Sequence, residues 1–319
     1  MNRTTQQTGM TMIETMVAMA ISAVLVLGSI TVYNNARGSY RTAENIARLQ
    51  ESMRFATDTL EEDIRLAGFW GRTNAGAKIV LEPAVQVMCG PLDVTGWALS
   101  QPGIGIDASD DAYDLACPGT NARDNSDVLV VRHASTVGAN NDVGMTPDAA
   151  KVQVFTNSGG GQIFSSDVSP FPLDANENQV YDVVVSAYYV SNESKYDTVL
   201  PSLRRRRLDG TTGTTMQDQE IITGVENLQV QFGIDRNDDG QADGYVDDDH
   251  AGKRNDNIVS VRLWMLVRGD ADETGQGYED DNVYRAPDND GFVIVPDAGN
   301  EYPRNYRRYA VTKTIKLKN

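Results

Sequence analysis

The chain has 319 residues, 40% of them apolar, a net charge of −17 and a pI near 4.5. That is room for one large domain or two small ones with a substantial core. So acidic a chain repels phosphate backbones, so direct nucleic-acid binding is not expected. Residues 1–66 are close to charge-balanced, and the excess carboxylates fall later in Asp/Asn/Gly-rich stretches that suit solvated loops or a calcium site.

Residues 1–9 are short and polar, with Arg3 as their basic residue. After Glu14, the 19 residues Thr15–Tyr33 carry no charge. As a helix they extend about 28 Å, close to the roughly 30 Å hydrocarbon core of a bilayer. Arg3 before the span, with no further basic residue until Arg37, predicts a cytoplasmic N-terminus and a head across the membrane. A secretory signal ends its apolar run at a small-residue cleavage site. Here the run continues into a helical pattern, in which Tyr40, Ala43, Ala47, Met53, Ala56, Leu60, Ile64 and Ala67 mark one apolar face. Gly68 is the expected stop signal. The prediction is one helix over 10–67, with 10–33 spanning the membrane and 34–67 amphipathic.

Glu14 is an acid at the edge of this span, and a carboxylate near the bilayer core costs several kcal/mol unless paired. Cleavage after Gly9 would supply a partner cation, the new α-amino group of Met10. Gly9-Met10-Thr11-Met12-Ile13-Glu14 resembles the processing site of type IV prepilins and type II secretion pseudopilins. The resemblance implies that residues 1–9 are a leader. A membrane prepilin peptidase/methyltransferase would cut after Gly9 and methylate Met10. Glu14 would then pair with the amine of a neighbouring subunit. Met10 stands where Phe is commonest.

Beyond Gly68 the pattern turns to strands between turn residues, over Lys78–Val87, Asp127–His133, Ala150–Phe155, Val180–Val190, Glu226–Ile234, Ile258–Val267, Gly291–Val295 and Tyr309–Leu317. Leu228, Val230, Phe232 and Ile234 alternate as in a half-buried strand, and Val259–Val267 is nearly continuous, as in a central one. Gly159–Gly161 and residues 269–282 read as exposed loops. The expected fold is therefore α+β: a long helix packed on an antiparallel β-sheet head, 68–319, with long loops. Two cysteines occur, Cys89 and Cys117. Export to an oxidising compartment predicts a disulfide between them, worth roughly 3–4 kcal/mol in the chain-entropy model. The alternative is two buried thiols.

Phe55-Ala56 with Leu60, and Asp63-Ile64-Arg65-Leu66-Ala67-Gly68-Phe69-Trp70-Gly71, resemble the end of the first helix in PilW-type minor pilins. Ser202–Arg205, Ile222–Asp235, Val259–Leu263 and the ending Thr312–Asn319 are similar to that family as well, and the likeness is weak between about 72 and 200. The resemblance implies a type IV pilin-like fold and a non-enzymatic subunit of the pilus priming or tip complex. Pilus assembly, twitching motility, adhesion or DNA uptake would be its setting. The implied partners are other minor pilins, the major pilin, a tip adhesin and the inner-membrane assembly platform. The J-type minor pseudopilin of type II secretion has a similar layout. A membrane-anchored periplasmic enzyme would need a catalytic group. His133 and His250 have no accompanying nucleophile or ligand pattern, and no hydrolase, P-loop or zinc-protease motif occurs.

Asp235, Asn237, Asp239, Gln241 and Asp243 occupy positions 1, 3, 5, 7 and 9 of a calcium-loop pattern, with Gly240 at the sharp turn. Position twelve is Val246, so closure would fall to Asp247, Asp248 or Asp249. Asp/Asn/Gly sequences also form metal-free turns, which is the competing reading. Arg204–Arg207 reads as a strand end whose alternate arginines pair with acidic loops, or as a contact with an acidic neighbouring subunit. Trp70, Trp97 and Trp264 are expected in the core or at subunit contacts, Trp264 above all in the core.

Overall fold

The structure is a computed structural model. It describes residues 9–73, 78–99, 105–118, 121–136, 146–172, 178–249, 253, 257–287, 291–299 and 301–317. Helix α1 runs Met12–Leu66. It is followed by β1 (Ile79–Leu81), β2 (Met88–Cys89), β3 (Leu92–Asp93), α2 (Thr95–Ala98), β4 (Ile106–Ser109), β5 (Val128–Ala134), β6 (Gln153–Asn157), β7 (Gly160–Phe164) and β8 (Asn178–Ser191). Then come β9 (Ser202–Leu208), β10 (Gln217–Thr223), β11 (Val225–Ile234), β12 (Gly244–Val246), β13 (Ile258–Arg268), β14 (Tyr284–Arg285), β15 (Val293–Ile294) and β16 (Arg308–Lys316). The chain forms two compact units, Met1–Arg48 and Leu49–Asn319.

Within the second unit, the helix turns from Leu49 to Leu66 bury Leu49, Met53, Ala56, Leu60 and Ile64 against both main sheets. Gly68, at φ 75°, takes the left-handed conformation that ends the helix, as the sequence predicts. Its amide donates to the Arg132 carbonyl at 3.0 Å. A Cβ on Gly105 would sit 2.1 Å from the Gly68 nitrogen, so only glycine permits that close passage of chains.

The larger sheet has eight strands in the order β1-β7-β6-β8-β5-β4, with β9 on β8 and β10 on β9. Every pair is antiparallel except β1–β7. The period-2 alternation of β8 divides its burial. Tyr188 and Val190 face the helix, and Val183, Val185, Ala187 and Tyr189 face a second core with Trp70, Val87 and Cys89. Cys89 and Cys117 form the expected disulfide, with Cα atoms 5.5 Å apart, inside that second core.

The smaller sheet is β12-β11-β13-β16, all antiparallel, with β13 central as expected. Strand β11 departs from the half-buried reading. Its apolar residues face the helix, but Asn227, Gln229 and Gln231 are buried too. The cause is a second cover that the alternation alone did not reveal. Asn227 and Gln229 donate to the Asn125 carbonyl, and Gln231 donates to Asp247.

Residues 269–282 are likewise not simply an exposed loop: Glu273 and Asp280 are buried. Arg308 bonds Glu226 at 2.5 and 3.1 Å and Asp280 at 3.1 Å, and these ion pairs hold the connection between β13 and β16 onto the sheet. Nor are Gly160 and Gly161 in a loop; they open β7, where a Cβ on Gly161 would lie 2.4 Å from the Phe155 carbonyl oxygen. Trp264 is core, as expected, but Trp70 is buried more completely.

Candidate functional site

The N-terminal site begins at an ordinary helix start. Thr11 precedes the first helical residue, and its Oγ1 accepts the Glu14 amide at 3.3 Å, as an N-cap does. Glu14 thus lies in the first turn, where a carboxylate favours the positive end of the helix dipole. Gly9, Met10 and Glu14 are all exposed. The leader expected over 1–9 falls, up to residue 8, outside the described residues. From Met12 to Tyr33 every large apolar side chain is exposed, the least being Ile30 at 51%. The most apolar 18-residue window of the helix has a mean hydropathy of 2.2 and is 0% buried, so it is long and apolar enough to cross a membrane.

In the head, one helical residue breaks the apolar face. Asp63 lies between Leu60 and Ile64 and is itself buried. Tyr188 donates to its Oδ2 at 2.6 Å. Arg207, Arg205 and His133 approach within 3.5, 3.7 and 3.9 Å. Burial opposes the charge, yet the side chains of His133, Tyr188 and Ser186 and the charge of Arg207 outweigh it and hold the carboxyl far below the usual range. Sequence reading put Asp63 only in a family motif. Its signal was an acid three residues after Leu60 and one before Ile64, on the apolar stripe.

The Prokaryotic N-terminal methylation motif matches residues 4–30, and the family Type IV Pilus-assembly protein W (PilW) matches residues 187–319. Over that C-terminal region the chain is similar to the PilW family of type IV pilus proteins, and its N-terminus carries the prepilin-type motif. It is also similar to the type IV-like pilin TTHA1219 from Thermus thermophilus, at 9% identity and a TM-score of 0.38, over 85% of this chain and 97% of that one. A likeness of that size bears on neither fold nor function. No curated protein matches significantly. Both matched families are structural pilin types and not enzymes.

The PilW-matching region contains β9 to β13 and β16, and so the whole smaller sheet that packs on the helix. The run Arg204–Arg207 is β9 itself and not a strand end. Its side chains alternate. Arg204 pairs with Asp218 and, at 3.1 Å, with Glu220, and Arg206 lies 3.7 Å from Asp218. Arg205 and Arg207 face Asp63 on the opposite side. The acids come mainly from β10 and α1, with Asp209, in the loop after β9, pairing Arg207 at 2.7 Å.

The loop expected to hold calcium curls through its own hydrogen bonds. Asp235 accepts the amides of Asn237, Asp238 and Gly240 at 2.6–3.0 Å. Asn237 accepts from Asp239, and Asp239 from Gln241. Asp243 accepts the Arg236 amide and the Asn237 side-chain amide. Of the expected closing residues, Asp247 is engaged by Gln231 and Asp248 by Lys253 and the Ala108 amide; Asp249 is exposed. A second acidic group, not anticipated, is Asp110, Asp111 and Asp127, whose carboxylate oxygens lie within 4.8 Å of one another. Burial, with the charges of Asp110 and Asp111, pushes Asp127 up to about 8 against the amides of Asp111 and Val230. His250 lies outside the described residues.

Proposed function

We propose that the chain is a low-copy minor pilin that joins other minor pilins in the priming or tip complex of a type IV pilus. The observation that carries this reading is the uncovered apolar half of α1. Its side chains must meet lipid before assembly and other helices afterwards. On this reading residues 1–9 are the leader and 10–67 the anchoring and packing helix. The chain is held once in the inner membrane, with its head periplasmic, until a prepilin peptidase/methyltransferase cuts after Gly9 and methylates Met10. Glu14 then pairs with a neighbour's α-amine, since a carboxylate moving with the helix through lipid costs about 2.5–3.5 kcal/mol unpaired. Minor and major pilins, a tip adhesin and the assembly platform are the expected partners.

Two experiments test the reading. The mature protein isolated from its membrane should begin at Met10; a start at Met1, or loss of the whole apolar span, removes the proposal. Glu14→Ala should leave processing intact and abolish piliation, and normal piliation removes the charge pair. Deletion separates pilus from secretion pseudopilus: loss of surface pili supports the first, loss of exoprotein release alone the second. The 235–243 loop, supported by its chain of side-chain-to-amide turns, is proposed to bind Ca2+ weakly. No heat of binding and no gain in melting temperature at millimolar calcium would end that proposal.

A further inference from the structure

We infer that Asp63 is the positioning residue that sets the register of the helix on the head. The apolar contacts alone select it poorly. Leu49, Met53, Ala56, Leu60 and Ile64 are aliphatic or thioether side chains on one stripe. Hydrophobic burial is non-directional, so a helix displaced by a turn would still cover much of the same sheet surface. Asp63 is the charged residue on that buried stripe, and a buried acid is strongly penalised away from its partners.

The partners converge from three strands. Tyr188 comes from β8, Arg205 and Arg207 from β9, and His133 from β5. His133 Nδ1 lies 2.8 Å from the Ala134 carbonyl oxygen and so donates to it, and its Nε2 lies 3.9 Å from Asp63, beyond hydrogen-bond distance. The opposite face of β9 shows why the helix is needed. There Arg204 and Arg206 receive Asp218 and Glu220 from the sheet's own β10. On the helix side, Asp63 is the carboxylate that reaches Arg205 among the described residues, while Arg207 divides its charge between Asp63 and Asp209. The sheet neutralises one row of arginines internally and leaves the other to the helix. Buried polar groups are best attested in such a role, fixing register at the expense of stability. The consequence within the head is that the helix turns from Leu49 to Leu66 take one register against the sheets.

The test uses the full chain in detergent micelles, spin-labelled through Glu62→Cys and Thr314→Cys, both exposed sites; Cys89 and Cys117 are already joined. Pulsed electron resonance should give one narrow distance in the parent. Asp63→Asn should add a second population displaced by about 5 Å, one helical turn, and Asp63→Glu should restore the single distance more fully than Asp63→Asn. A folded Asp63→Asn variant with the parent's single narrow distance overturns the inference. If Asp63→Asn does not fold, the variant Asp63→Asn, Arg205→Gln, Arg207→Gln decides. A folded chain with a broadened or shifted distance supports the inference, and an unshifted narrow peak, or no recovery of folding, overturns it.

Discussion

Helix α1 solves two different burial problems along one sequence of hydrogen-bonded turns. From Thr15 to Tyr33 it carries no charge, and its large apolar side chains are exposed among the described residues. From Leu49 onward it is amphipathic, and its apolar stripe lies inside the head's main core. A helix apolar on every side needs lipid or other helices, whereas one apolar on a single stripe needs only a sheet. The first half is thus kept for partners, and the second is already satisfied.

The contrast is broken most directly by truncation. Leu60→Ala, at a fully buried site, should cost about 2–5 kcal/mol of head stability. Leu25→Ala, at a side chain 65% exposed, should leave it unchanged. Denaturant unfolding of the full chain in detergent checks both, and equal losses would merge the two halves into one folding unit. Next in size, Val24→Arg should cost about 2.5–3.5 kcal/mol of membrane insertion and deplete the membrane fraction. Phe55→Arg, on the exposed face of the head's own segment, should not.

The pH dependence sharpens the comparison further. Asp63 has a depressed folded-state pKa, so its contribution is complete above the unfolded value and is lost as pH falls. The docked half of α1 should therefore loosen progressively below about pH 4, seen as faster amide exchange over 49–66. Asp127 runs the other way. Its pKa, raised to about 8, means that the native head binds its proton more tightly than the unfolded chain. Its contribution to stability should fall between about pH 4 and pH 8 and then level off. Asp127→Asn should flatten that slope in melting curves, and a slope as steep as the parent's would contradict it. The smallest effect belongs to the outer face of the docked segment. Arg54, paired with Asp58 at 3.6 Å in the open, should cost no more than about 0.5 kcal/mol when changed to Ala.

How legible the molecule is depends on the range of the interaction. The uncharged span and the stop at Gly68 are local, so spacing reveals them. Strand β13 is legible for the same reason: buried on both faces, it reads as a continuous apolar run. Strand β10, Gln217–Thr223, was missed because its polar residues answer the arginines of β9 and not a core. The burial of Asp280 and Glu226 escaped notice because Arg308, far from both in sequence, is what makes it tolerable. The closing carboxylates of the calcium loop looked available in sequence because Gln231 and Lys253 could not be seen to claim two of them.

The sequence by itself determined the long helix, its apolar first half, its family motif and the β-rich nature of the head, since each follows from periodicity or from neighbours a few residues apart. Only the tertiary structure decided which acids are paired. Asp63 and Asp127 are the same residue type and both are buried, yet their carboxyls are driven in opposite directions. The physical reason is that a buried charge takes its energy from whatever the fold places within a few ångströms. For Asp63, burial is outweighed by the side chains of His133, Tyr188 and Ser186 and the charge of Arg207; for Asp127, burial dominates and two further carboxylates add to it.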